Sequence, residues 1–159
     1  MTHLHAEPVV TVACVDDNEL VAEAVGRRLV SDTSIRWVGH IAADANIESC
    51  LVDLQPNVLL MDIDMPDIDT FALVERIATR LPNVRVLMFS GYVDVKYIGR
   101  ALDCGAWGYV SKNEDARVLV ECIKRAARGE VVLSTEVELV QQRSHKGHQG
   151  VPPTETGRG

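Results

Sequence analysis

The chain has 159 residues, 47% of them apolar, and a formal net charge of −7. That length gives one domain with room for a short appendix, the apolar share supports a sizeable core, and the acidic balance argues against a broad nucleic-acid surface. No apolar run is long enough to cross a bilayer, the start of the chain lacks the basic-then-apolar pattern of a signal peptide, and Cys14, Cys50, Cys104 and Cys122 are too widely spaced for a disulfide frame or a zinc site. The expectation is a cytoplasmic protein with reduced thiols and no membrane contact.

Residues 9–15 form a β-rich run that ends at Asp16-Asp17-Asn18. Asn18 suits the cap of a helix in which Leu20, Val21, Ala24, Val25 and Leu29 share one face. Residues 35–41 give a short strand with mixed faces, and 45–54 a helix with Ile47, Leu51 and Leu54 inward. After Asn57, residues 58–61 run apolar into Asp62-Ile63-Asp64-Met65-Pro66, which reads as a strand buried on both faces, stopped by a turn. Phe71, Val74, Ile77, Ala78 and Leu81 recur at helical spacing up to Pro82. Residues 84–89 form the next strand, ending at Ser90-Gly91. Val95, Ile98, Ala101 and Leu102 give a helix closed by Gly105. Residues 106–110 form a short strand ending at Ser111-Lys112, and a last helix carries Ala116, Leu119, Val120, Ile123 and Ala127 inward before Gly129. Strand and helix alternate five times, which demands a parallel sheet with helices on both faces, a doubly wound three-layer α/β fold. Residues 129–142 read as an extension with a short helix from Thr135, and 143–159 as a flexible polar tail in which His145 and His148 are solvated rather than metal-binding.

Ligands bind such sheets at the carboxyl ends of the strands. Collected there are Asp16 and Asp17, Asp62 with Asp64 just beyond, Ser90, and Lys112. Clustered carboxylates call for a cation, and Mg²⁺ suits one or two of them together with phosphate oxygens and water. A hydroxyl, an ammonium and a metal around one carboxylate make a cradle for a phosphoryl group, with the carboxylate itself as nucleophile. Taken singly, each residue also fits a cap, a turn or a surface charge; their convergence on one edge favours a shared site.

These residues carry a resemblance. Over 9–128 the chain resembles the receiver domain of two-component response regulators: Asp16-Asp17 after strand one, Asp62 within Met61-Asp-Ile-Asp-Met-Pro66, Ser90 after strand four, and Gly108-Tyr-Val-Ser-Lys112 on strand five. Residues 105–112 and 125–133 are most like the LuxR/NarL-type branch, whose receivers usually precede a helix-turn-helix domain. The resemblance implies a flavodoxin-like five-stranded sheet of order 2-1-3-4-5. It implies Asp62 as phosphoacceptor, charged by a sensor histidine kinase, a phosphotransfer protein or a small donor. Asp17 would bind Mg²⁺ directly and Asp16 through water, with Asp62 and the backbone carbonyl of Asp64 completing the set. Lys112 would pair with phosphoryl oxygens, Ser90 would swing toward them, and Tyr109 would turn inward, remodelling the face of the fourth helix, fifth strand and fifth helix, where a homodimer would form. The protein would be a switch that catalyses its own phosphorylation and dephosphorylation, not a conventional enzyme. Too few residues follow Arg143 for a DNA-binding domain in this chain.

Some positions depart from the family pattern. Thr70 stands where glycine is usual, so a backbone there needing positive φ would be strained. Asn113 follows the lysine in place of proline. Gly91 leaves space beside the acceptor. The Asp64 side chain either meets the metal through water, orients an attacking water, or is a solvated loop acid. By period two, Trp107 and Tyr109 share one side of the fifth strand, and Trp107 either joins Val93 and Tyr97 in an apolar partner surface or covers the last helix. Two alternatives to the switch are a haloacid-dehalogenase-like phosphotransferase built on Asp62-Ile-Asp64 and a receiver-shaped binding module that is never phosphorylated.

Overall fold

The computed structural model describes residues 8–44 and 46–149, without the side chains of 145–149. Its elements, in chain order, are β1 Val10–Val15, α1 Glu19–Leu29, β2 Ile35–Ile41, α2 Ile47–Leu54, β3 Val58–Met61, α3 Thr70–Arg80, β4 Arg85–Ser90, α4 Val95–Asp103, β5 Gly108–Ser111, α5 Ala116–Ala127, β6 Val132–Leu133 and α6 Thr135–Gln149. All strand pairs are parallel and the order is β2-β1-β3-β4-β5-β6. The doubly wound fold and its 2-1-3-4-5 order are as expected. The sixth strand is a difference: residues 132–133 add to the edge of β5.

The inner strands β1, β3, β4 and β5 are buried on both faces, and their side chains alternate between two cores. Val12, Cys14, Val58, Leu60, Leu87 and Phe89 meet Ala22, Val25 and Leu29 of α1 and Leu119, Cys122 and Ile123 of α5. Ala13, Val15, Leu59, Met61, Val86 and Met88 meet α2, α3 and α4 on the other side. This period of two is why apolar runs with no polar face still fold as strands here. Helix starts follow the sequence: the Asn18 side chain accepts from the amides of Leu20 and Val21, and Asp69, Asp94 and Asp115 cap α3, α4 and α5 in the same way. Gly105 leaves α4 with φ +103, a conformation that disfavours any residue with a Cβ. All four cysteines are free.

Several expectations are corrected. Leu20 and Leu54 are exposed, whereas Ala22 and Gly26 fill the inward face of α1. Trp107 and Tyr109 lie in opposite cores, because the alternation slips between Trp107 and Gly108: Trp107 packs on the α1–α5 side beneath the Arg85 guanidinium, 4.8 Å from its ring centroid. Trp107 therefore does not join Val93 and Tyr97, which pack on the other face. The polar segment expected as a tail from 143 instead continues α6 to Gln149; the side chains of His145 and His148 and residues 150–159 lie outside what is described. Helix α6 packs against β5 and α4, with Val137 fully buried. No helix among the described residues is long and apolar enough to cross a membrane.

Gly108 makes the sixth strand possible. A Cβ there would fall on the Val132 carbonyl oxygen and 2.8 Å from its Cγ2. With hydrogen in that place, Val132 N donates to Trp107 O at 2.9 Å and Ser134 N to Tyr109 O at 3.1 Å.

Candidate functional site

The carboxyl ends of β1, β3, β4 and β5 meet at one edge, where a cleft of about 380 Å³ is lined by Asp16, Asp17, Asp62, Asp64, Ser90 and Lys112. Each arrives there for a local reason. The apolar β1 and β3 must stay in register through the core, and the first polar residue past each, Asp16 and Asp62, is set beside its neighbour when Asp62 N donates to Val15 O at 3.0 Å. Lys112 is set by its own amide, which donates to Ser90 O at 2.9 Å.

Asp16, Asp17 and Asp62 each offer an oxygen, all within 4.8 Å of one another. Asp16 and Asp62 are buried and Asp17 is exposed. Asp16 Oδ1 accepts from Asn18 N at 2.9 Å, while Asp16 Oδ2 accepts from Lys112 Nζ at 2.7 Å. Lys112 Nζ also lies 3.5 Å from Asp62 Oδ1. His40, at the end of β2, donates from Nε2 to the Asp16 carbonyl at 2.8 Å and fixes that corner from the far side.

The electrostatics follow from burial and crowding. Burial pushes the Asp62 carboxyl up; the Lys112 charge opposes this and the Asp16 charge adds to it, leaving the group above the ordinary carboxylate value. Burial alone would lower Lys112, but its bond to Asp16 and the charges of Asp62 and Asp16 outweigh that, and the ammonium is held more firmly than usual. Three converging carboxylates with one ammonium leave negative charge uncompensated, and an all-oxygen donor set of this kind fits a hard divalent cation.

Ser90 is buried at the end of β4, and its hydroxyl accepts from Tyr92 N at 3.0 Å. Tyr109 is fully buried and donates its phenolic proton to Tyr92 O at 2.6 Å. Burial pushes its pKa to about 12, against the pull of a bond to Ser90. The ring already points inward, so the inward turn implied by the resemblance has no further distance to go from this conformation. The Asp64 side chain is exposed, and its amide donates to Asp62 Oδ1 at 3.3 Å.

The departures resolve individually. Thr70 is not strained: among the described residues, positive φ at a non-glycine falls on Gln55 and Asp67. Thr70 opens α3, and its hydroxyl donates to Ile63 O at 2.9 Å, tying the helix to the loop after Asp62. The bond preceding Asn113 is trans. At Gly91 a Cβ would meet nothing described within 4 Å, so the openness there is not owed to glycine.

Sequence reasoning missed His40, a single residue in a strand of mixed pattern, and the contacts of Ser111. The Ser111 hydroxyl donates to Glu136 of α6 and accepts from Asn113 N at 3.0 Å. No local signal links residues 25 apart across a helix.

The response regulator receiver domain family matches residues 12–124. Over 135 residues, the sequence is 32% identical to the response regulator protein VraR of Staphylococcus aureus, covering 85% of this chain and 64% of that protein. The chain thus spans just under two thirds of the length of that relative. The signal receiver domain of a NarL response regulator from Mycobacterium tuberculosis superposes with a TM-score of 0.71 at 28% identity, over 78% of this chain and 100% of that one. A LuxR-family two-component response regulator from Aurantimonas sp. SI85-9A1 gives a TM-score of 0.77 over 86% of this chain and 98% of that one, and at 23% identity it attests to the fold alone.

Proposed function

The chain belongs to the response regulator receiver family, and from that premise we propose that Asp62 is the phosphoacceptor of a two-component switch. The matched segment contains Asp16 and Asp17 as well as Asp62, which favours the switch over the dehalogenase-like alternative. The observation that carries the proposal is the position of Lys112, whose ammonium stands between a metal-site acid and the acceptor at 2.7 and 3.5 Å.

An oxygen of Asp62 attacks the phosphorus of a donor. The bond formed is the O–P bond of an acyl phosphate; the bond broken is P–N of a phosphohistidine or P–O of a small acyl phosphate, and the leaving group keeps the electron pair. Asp16, Asp17 and Asp62, with the Asp64 backbone carbonyl, are the groups that would hold Mg²⁺, which supplies charge neutralisation for the phosphoryl oxygens. Lys112 pairs with the same oxygens, and the hydroxyl of Ser90, which lines the cleft, donates to them. The partner upstream is a sensor histidine kinase or phosphotransfer protein, in the cytoplasm. The output is a protein partner, or transcription where the chain serves a longer LuxR-type regulator. A homodimer through α4, β5 and α5 belongs to the same reading, with α6 displaced from α4 and β5.

Intact mass in Mg²⁺ and acetyl phosphate tests this. One added phosphoryl per chain, absent from Asp62→Asn and absent without Mg²⁺, is the expected result. No addition from small donors or from a phosphorylated kinase would instead favour a binding module that is never phosphorylated. Release of phosphate from many esters over many cycles would mark an enzyme.

A further inference from the structure

Lys112 does its work from a turn, and that turn is held from outside the segment the family matches. Ser111, just before it, is fully buried. Its amide donates to Ser134 Oγ at 3.1 Å, and its hydroxyl oxygen accepts from Asn113 N at 3.0 Å. Asn113 can make that bond because it is not proline and has an amide proton to give. A serine hydroxyl has one proton, and here the proton goes to the Glu136 carboxylate. The residues flanking Lys112 are thus pinned to each other by one hydroxyl, and that hydroxyl is oriented by a residue of α6.

Glu136 is itself held in place. Its amide donates to Glu114 Oε2 at 2.7 Å, which sets a carboxylate at the N-terminal turn of α6. Glu114 in turn lies in the loop after β5, where its amide donates to Ser111 O at 3.2 Å and its carbonyl accepts from Arg28 Nη2 of α1 at 2.9 Å. Beside Glu136, Val137 is fully buried against the core shared with α4. Both Ser134 and Glu136 lie beyond residue 124, where the family match ends.

We infer that Glu136 is a positioning residue for Lys112, acting through the Ser111 hydroxyl, and that the acceptor site and the docking of α6 are one coupled equilibrium. This rests on Asp62 being the acceptor. Lys112 is shared unequally between Asp16 and Asp62; when phosphoryl oxygens arrive, that sharing changes, and the strain of any new backbone position falls on Ser111. Coupling is reciprocal, so whatever α6 contributes to placing Lys112, the charged acceptor returns to α6. Since Tyr109 is already inward, this route leaves the site without needing that ring to move.

The test uses the full chain, following phosphoryl uptake from acetyl phosphate with Mg²⁺ by intact mass. Glu136→Ala is expected to slow uptake by about tenfold or more, because a displaced catalytic group costs rate steeply. Glu136→Gln is expected to keep the wild-type rate, since its amide oxygen still accepts the Ser111 proton. A merely structural loss of charge would leave Gln no better than Ala. Ser111→Ala is expected to match Glu136→Ala, with the double variant no slower than either, and it carries the test if Glu136→Ala fails to fold. In the reciprocal arm, beryllofluoride with Mg²⁺ is expected to change backbone hydrogen exchange in residues 137–142 of the wild type but not of Ser111→Ala. A wild type that takes up no phosphoryl overturns both this inference and the acceptor assignment. Uptake on Asp62 with Glu136→Ala at the wild-type rate, or with α6 exchange unmoved, overturns this inference alone.

Discussion

Lys112 stands nearer to Asp16 than to Asp62, 2.7 Å against 3.5 Å. The lysine is therefore committed chiefly to the acid that would share a cation, and Asp62 keeps part of its charge uncompensated. Burial, which pushes Asp62 up most, and the Asp16 charge act in the same direction.

That arrangement gives a pH-dependent stability with a definite sign. The folded pKa of Asp62 is raised from 3.8, so the folded state binds the proton more readily than the unfolded chain. The group's favourable contribution is complete below the unfolded value and is lost as pH rises through the raised folded value. In chelator at pH 7, Asp62→Asn is expected to melt above the wild type, by about 2–4 °C for each kcal/mol relieved. Lys112 keeps Asp16 in this variant. The gap should close as pH is taken below about 4; melting curves of both proteins across pH 3.5–7 check it, and an Asn variant that melts lower at pH 7 contradicts the sign.

Cation binding should stabilise the fold by an amount that grows with the logarithm of cation concentration above the dissociation constant. At one hundred times its dissociation constant, Mg²⁺ is expected to add about 2.7 kcal/mol. Asp17→Asn, at the exposed corner of the cluster, is expected to lose most of that gain while melting close to the wild type in chelator. Thermal shifts with Mg²⁺, then with EDTA, measure both.

Restoring the glycine usual in the family should harm this chain. Thr70 needs no positive φ and instead gives its hydroxyl to Ile63 O at 2.9 Å in the first turn of α3. Thr70→Gly loses that bond and adds backbone entropy to a helix, for an expected cost of about 1–2 kcal/mol. Urea denaturation checks this; an unchanged or raised midpoint would show that the bond contributes nothing.

Gly108→Ala should undo β6. The new methyl meets the Val132 carbonyl and cannot be relieved by rotating a side chain. The expected loss is about 1–3 kcal/mol, with faster hydrogen exchange at the amides of Val132 and Ser134, which donate across β5. Retained protection at both amides would mean the strand shifts as a body instead.

Most of this was legible from periodicity. Continuous apolar runs marked β1, β3 and β4, and each ended on the residue that the fold brings to the site. What was not legible depended on contacts rather than on pattern. Counting twos puts Trp107 on the side of Tyr109, but the count restarts at Gly108, where the ladder with β4 begins. Residues 132–133 are too few to show any period, and β6 exists because a missing side chain across the gap permits it. In α6 the inward positions after Val137 and Val140 give way to polar residues, so composition marked a tail where the backbone remains helical. The sequence pattern brings Asp16, Asp17, Asp62, Ser90 and Lys112 to one edge, and the cleft is lined by all five; Glu136 escapes such a reading, because a single glutamate near a helix start carries no mark of the hydroxyl it will meet.

The position of α6 against α4 and β5 bears on recognition in a different way. Only Ser134 separates β6 from α6, and β6 is fastened to β5. The helix is thus a tethered competitor for the surface it covers, at a local concentration set by the chain and unaffected by dilution or expression level. Any protein seeking the surface between α4 and β5 binds only the fraction of molecules in which α6 has left, and its apparent affinity falls by that fraction. Selectivity at this surface then depends on how readily the resident helix yields as well as on what the visitor offers.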